Sequence, residues 1–275
     1  MRVADVDPNA LRAASFIGGL FIAAAFDRAG AWLSARHGVE PPRRRVFLAV
    51  AIAGVALGIG HLLTRAPELS APHAAFLFVV NAVIAAGILT ASVIDAEHMI
   101  LPNELTLGTA VLAFASSPLR AVGPLDSGVG AIAGLLAAYV PFVIYAKLRR
   151  RSGMGLGDAK LAMAAGAWHG PEGALFVLVV GALQAVVFAL GMRAAGRDVA
   201  VPASVIAEIE ALRERAAAGD LDARRELDED PMAAPASAGA LGMRLPLGPF
   251  LALACIELLF VRRSFLELLE RWFSH

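Results

Sequence analysis

"HAAFLFVVNAVIAAGILTASVI", His73 to Ile94, runs for 22 residues without an acidic or basic residue apart from its leading histidine, and Asp95 follows it directly. A helix of that length covers about 33 Å, enough to cross the ~30 Å hydrocarbon layer of a bilayer. Lipid offers no partner to backbone N–H and C=O groups, so such a run must pair them internally, as a helix does. Working outward, the same pattern recurs at Ala14 to Phe26, Val46 to Leu63, Leu105 to Ser116, Val129 to Leu148, Ala159 to Trp168, Ala174 to Met192 and Leu247 to Val261. These runs predict an all-α, polytopic integral membrane protein with seven or eight membrane helices. The run Ala159 to Trp168 is too short to cross alone, so it is either a short helix buried among others or a segment entering from a water-filled site.

Composition agrees with lipid as the main solvent: of 275 residues 58% are hydrophobic and 17% charged, and the mean hydropathy is +0.68. Lys+Arg and Asp+Glu balance at 24 each, which gives no electrostatic case for nucleic acid as a partner. Cys255 is the single cysteine, so an internal disulfide and a paired-cysteine zinc site are both excluded; its apolar surroundings predict burial. His98 and His169 are isolated, and no His/Cys/Glu group has metal-ligand spacing, so neither a metal nor a cofactor is expected. Ahead of the first apolar run the N-terminus carries two aspartates and only Arg2 and Arg12, with no persuasive cleavage site after it, which predicts a retained membrane segment.

Four regions follow. Residues 1–72 hold the first membrane helices and a basic loop, 73–192 a membrane core, 193–244 a water-facing insertion, and 245–275 a final membrane helix and tail. Arginine and lysine crowd "ARHGVEPPRRR" (Ala35 to Arg45) and "KLRRRS" (Lys147 to Ser152), while the loops Leu63 to Pro72 and Pro118 to Ser127 carry one arginine each. Cytoplasmic loops retain positive charge, so both basic loops are assigned to the cytoplasm. One crossing per run then puts Asp95 to Glu104 on the same side as Lys147 to Asp158. In the insertion Val205, Ile206, Ile209 and Leu212 recur at helical spacing, predicting a short amphipathic helix, and Pro231 to Ala240 reads as linker. Asn81 and Gln184, polar residues inside long spans, are expected to bond between helices.

Ionisable groups at the mouth of a membrane helix are costly and mark a cavity, an ion path or a site of chemistry. Asp95 closes its apolar run, at a helix C-terminus whose dipole disfavours the ionised form, and Asn103 is placed to cap the next helix behind Pro102. Asp158 has the opposite setting. In "GMGLGDAKL", Gly153 to Leu161, the glycines Gly153, Gly155 and Gly157 allow close backbone approach, and Asp158 enters a helix whose N-terminus favours a carboxylate. Taken singly, each aspartate also reads as a cap or a solvated end; together on one face they suit a dyad in which one carboxylate activates water and its protonated partner polarises a carbonyl. Lys160 reads first as a snorkelling anchor, and otherwise as an ion-pair partner or a substrate contact. The glycine stretch lacks the spacing of a nucleotide-binding loop.

At these residues the sequence resembles the type IV prepilin peptidases, membrane aspartyl proteases of the GxGD class. "IDAEHMILPNELT" (Ile94 to Thr106), "GMGLGDAKLAMAAGAWHG" (Gly153 to Gly170) and "LPLGPFLALA" (Leu245 to Ala254) carry the likeness, in that order. The resemblance implies that Asp95 and Asp158 are catalytic, with Gly153, Gly155, Gly157 and Lys160 supporting them. It implies pilin-like or pseudopilin precursors as substrates, cut on the cytoplasmic side of the inner membrane to remove a short basic leader, with membrane lipid as surroundings. Many members carry two Cys-x-x-Cys pairs and methylate the new N-terminus. This sequence has no such cysteines, so methylation and S-adenosylmethionine use are not expected. The alternative is a non-catalytic membrane assembly factor or transporter on the same fold.

Overall fold

The computed structural model describes residues 1–149, 156–197, 201–229 and 245–273, and within them the chain is all α-helical. Eight helices correspond to the eight apolar runs: α1 Pro8–Arg36, α2 Arg45–Leu63, α3 Ala71–His98, α4 Asn103–Ser116, α5 Pro124–Arg149, α6 Leu156–His169, α7 Pro171–Ala194 and, after the insertion, α10 Gly248–Phe273. Four of them, α1, α2, α3 and α7, are long and apolar enough to cross a membrane. The helices overshoot the apolar runs at their ends. α10 continues past Val261 through "RRSFLELLERWF", where polar and apolar residues alternate at helical spacing.

Stops are written locally. Asp7 starts α1 by accepting from the Asn9 N–H at 3.0 Å, with Pro8 in the first turn. α3 ends because Met99 turns left-handed, φ 55°, and its N–H bonds back to the Asp95 carbonyl at 2.8 Å. Between α6 and α7 Gly170 takes φ 87° and Pro171 opens the next helix, so the two helices break cleanly.

α3 is the axis of the bundle: 67% of its most apolar window is buried, against 11% for α7. The outward face of α7 presents Leu175, Val179, Leu183, Val186, Val187 and Leu190, a stripe that water would not tolerate and lipid does. This is the surface of a membrane protein. α6 settles the ambiguity left by its length. At 14 residues it reaches only about 21 Å, and Leu161, Ala162, Ala164, Ala165, Ala167 and Trp168 are all 2% exposed or less, so it is a short helix enclosed by others.

Enclosure demands close packing and paired backbone groups. α5 and α6 run antiparallel with their backbones in contact: a Cβ on Gly130 would strike the Gly166 carbonyl, one on Gly166 the Gly130 carbonyl, and one on Gly134 the Ala162 carbonyl. The C-terminus of α6 ends inside the protein, where its last carbonyls need donors. Arg120 supplies them, donating to Trp168 O at 2.8 Å and Ala167 O at 3.1 Å and also to Ala113 O of α4 at 2.6 Å, while Ser127 Oγ donates to Ala167 O at 2.7 Å. The arginine of the loop after α4 is therefore a helix cap.

The two polar residues inside the spans bond as expected. Trp168 Nε1 donates to Asn81 Oδ1 at 2.8 Å, joining α6 to α3, and Gln184 Nε2 donates to Glu257 Oε2 at 2.7 Å, joining α7 to α10. Cys255 is buried, and its carbonyl lies 3.1 Å from His169 Nε2. In the insertion, α8 (Ala203–Ala217) and α9 (Leu221–Glu229) pair on each other through Ile209, Leu212 and Ala223. Asp220 caps α9 by accepting from Asp222 and Ala223 N–H, and Arg215 holds it at 2.7 Å. The expected amphipathic helix is present, with Ile206 on its exposed side. The linker Pro231 to Ala240 lies outside the described residues.

Gly166→Leu must drive α5 from α6 and is expected to cost about 3 kcal/mol or more, whereas Gly108→Ala, with open space at its Cβ, should leave stability nearly unchanged. Thermal unfolding in detergent separates the two. By the same measurement Arg120→Met, which strips donors from three carbonyls, should destabilise by more than about 2 kcal/mol.

Candidate functional site

One end of the bundle gathers the charged motifs. Asp95 lies in the last turn of α3, 6% exposed, in the most buried of the four long apolar helices. Asp158 stands in the first turn of α6, partly exposed, where the helix dipole favours a carboxylate. The two acidic groups act on each other electrostatically. The structure thus brings together the two aspartates, which are 63 positions apart in sequence, at facing ends of antiparallel-running elements.

Two further contacts lock α6 to the turn behind Asp95. Gly157 lies so close to Leu101 that a Cβ there would come within 2.8 Å of the leucine Cβ. Its φ is not in the left-handed region, so the glycine serves close approach. Lys160 Nζ donates to Asn103 Oδ1 at 2.7 Å, bridging α6 to the first residue of α4. Two expectations change here. Asn103 does not cap α4: Pro102 holds the cap position and the Asn103 amide oxygen is turned to Lys160. Lys160 is accordingly a bridge between helices and not a free snorkelling anchor, because a neutral amide within reach satisfies one of its N–H donors. Gly153 and Gly155 lie outside the described residues.

The basic loop between α1 and α2 folds over the same end. Glu97, two residues past Asp95, accepts from the backbone N–H groups of Arg43 at 2.8 Å and Arg44 at 3.1 Å. Glu104 at the start of α4 pairs with Arg36 and His37, each at 3.5 Å. Glu40 and Arg43 form an exposed pair at 2.9 Å that holds the glutamate below, and the arginine above, their ordinary pKa values. The ends of α1 and α3 and the starts of α2, α4 and α6 therefore share one face, as the alternation of crossings predicted. α10 leaves that face: its Phe265 packs on Phe176 near the start of α7, ring centroids 4.9 Å apart, at the opposite end.

One participant was not among the expected site residues. Gly248, the first residue of α10, donates its N–H to Asp95 Oδ2 at 3.0 Å, and both partners are buried. It stands in "LPLGPF", inside the stretch Leu245 to Ala254 that carries part of the resemblance, and nothing in that stretch pointed to Asp95. No group of three or more His, Cys, Asp or Glu residues suited to a metal ion occurs among the described residues. A buried acid held by an N–H beside a second, partly exposed acid at a helix start is an arrangement able to share a proton and handle water.

Residues 82–190 match the type IV leader peptidase family, a stretch that contains both Asp95 and Asp158 and ends before Gly248. Among curated proteins the chain is similar to the prepilin leader peptidase/N-methyltransferase of Xanthomonas campestris pv. campestris, 33% identical over 122 residues, covering 44% of this chain and 42% of that protein. It is similar also to the proteins of the same description from Aeromonas salmonicida, 35% identical over 100 residues, covering 36% and 34%, and Pseudomonas aeruginosa, 33% identical over 121 residues, covering 42% and 41%. The matched stretch thus spans less than half the length of these relatives. No solved structure gives a significant match.

The Lys160–Asn103 bridge predicts a coupling of about 1 kcal/mol between the two positions. Unfolding midpoints of Lys160→Met, Asn103→Leu and the double variant measure it, and additive effects would show that the contact does not stabilise the turn.

Proposed function

We propose that the protein is an aspartyl endopeptidase of the bacterial inner membrane that removes the basic leader of type IV pilin-like or pseudopilin precursors. The observation that carries this reading is a buried Asp95 within electrostatic reach of Asp158 at the one end of the bundle where the motif-bearing elements meet. The family matched over residues 82–190 and the printed names of the relatives support the substrate class.

In the proposed reaction one carboxylate takes a proton from a water molecule, whose oxygen attacks the carbonyl carbon of the scissile peptide bond. The protonated partner donates its proton to the carbonyl oxygen, giving a neutral tetrahedral diol. Collapse breaks the C–N bond as the amide nitrogen takes up a proton and the diol returns one to the dyad, leaving the two acids sharing one proton again. Asp158, partly exposed at a helix start, suits the ionised role and Asp95, enclosed in apolar surroundings, the protonated one, although the proton belongs to the pair. Gly157 and Lys160 hold the start of α6 against the Leu101 to Asn103 turn.

The site faces the cytoplasm in this reading, because the arginine-rich α1–α2 loop that shares its end retains positive charge there. α5 and α10, each 26 residues, add crossings to the four apolar spans, and the 14-residue α4 and α6 complete the bundle of eight helices embedded in the bilayer. A basic leader in water joined to an apolar helix in lipid then places its junction beside the dyad.

Asp95→Asn and Asp158→Asn should each lower cleavage of a full-length pilin-like precursor by about 100-fold or more while the protein accumulates and unfolds normally. Gel-resolved release of the leader by purified protein in detergent reads this out, and near-normal cleavage by either variant would remove the dyad as the catalyst.

A further inference from the structure

The first turn of α10 has an unusual supply of backbone donors. A helix start leaves its first N–H groups without intrahelical partners. Here Pro249 has none to give, and Phe250 and Leu251 both turn theirs to the Leu247 carbonyl at 3.1 Å. The Gly248 N–H is the donor left over, and it goes to Asp95 Oδ2 at 3.0 Å. Space is matched as closely as charge. The three atoms that a Cβ on Gly248 would meet first are Oδ2 at 2.6 Å, Cγ at 3.1 Å and Cβ at 3.3 Å, all belonging to Asp95. Gly248 is not in the left-handed region, so its missing side chain serves the carboxylate and not the backbone turn.

We propose that Gly248 is a positioning residue for the dyad: its N–H fixes Asp95 Oδ2 against the start of α10, its missing Cβ makes room for that carboxylate, and proton exchange falls to Oδ1. When Asp95 carries the shared proton, the oxygen that accepts the N–H serves as its carbonyl oxygen and the hydroxyl proton is carried on Oδ1. The bond also fixes the rotation of the carboxyl plane, which decides where Oδ1 is aimed. This inference rests on the dyad reading above, and it ties the chemistry to a helix that follows the insertion and lies beyond the stretch matched by the family.

Two measurements on the full chain test it. The first is kinetic, with a purified pilin-like precursor: Gly248→Ala should lower kcat by about 10- to 100-fold through a misplaced carboxylate and leave KM within about twofold. The second needs no activity. Gly248→Ala should lower the unfolding midpoint in the wild-type background by several degrees, and much less in Asp95→Ala, where only the 3.3 Å neighbour remains. If the single variant does not fold, recovery of folding in the double variant supports the same steric pairing, and failure to recover overturns it. A wild-type kcat in Gly248→Ala overturns the positioning role even when Asp95→Asn is inactive. Activity surviving in Asp95→Asn would instead defeat the underlying dyad, a different result from a different variant.

Discussion

A carboxylate placed inside a bundle of apolar helices is the constraint around which this protein is organised. Removing an unpaired charge from water costs several kcal/mol even after relaxation, so a buried acid persists only where donors or a shared proton compensate. Asp95 has a backbone donor brought from 153 positions away, and the second acid, Asp158, acts on it electrostatically. Neither partner is local. The start of α10 is thus tied to one side chain on α3, and the start of α6 comes to the same end of the bundle through its own contacts with Leu101 and Asn103.

α6 shows the same economy from the other direction. A helix of 14 residues enclosed by its neighbours has two sets of unpaired backbone groups and a buried far end. The N-terminal end carries Asp158, which is partly exposed. The C-terminal end is closed by Arg120 and Ser127, which reach in from the α4–α5 connection. A helix fixed rigidly at its inner end and along its side by the glycine contacts with α5 has little freedom to tilt, so Asp158 is delivered to a defined place. Positioning on a rigid element is what the proposed dyad requires, since a proton is exchanged only over hydrogen-bond distances.

Much of this was legible in the sequence for a physical reason: lipid permits few backbone solutions, so apolar length alone placed eight helices, and alternation of crossings put Asp95 and Asp158 on one face. Asn81 and Gln184 were legible as interhelical partners because a lone amide in a span must find one. The sequence was silent where a contact depended on three-dimensional register. Nothing near Lys160 pointed to Asn103, 57 positions earlier, and the helix-cap rule for Asn103 lost to that bridge because an exposed amide has more than one donor in reach. Arg120 read as a loop charge, since only the folded protein shows that the carbonyls beside it belong to a buried helix end.

The glycines sharpen the point. Read along the chain, a glycine-rich stretch before an acid suggests conformational freedom, and Gly170 does use it, at φ 87° between α6 and α7. The described glycines nearest the acids do not. Gly157 and Gly248 have ordinary backbones and are defined by what a Cβ would strike, the Leu101 side chain in one case and the Asp95 carboxylate in the other. Gly130, Gly134 and Gly166 follow the same rule along the α5–α6 contact. Conformational need is a local property that a turn motif can announce, whereas the need for space is set by whichever element arrives opposite. That is why the glycine loop before Asp158 was readable as a motif, while the glycine that touches Asp95 became interpretable only once α10 was seen to begin against it.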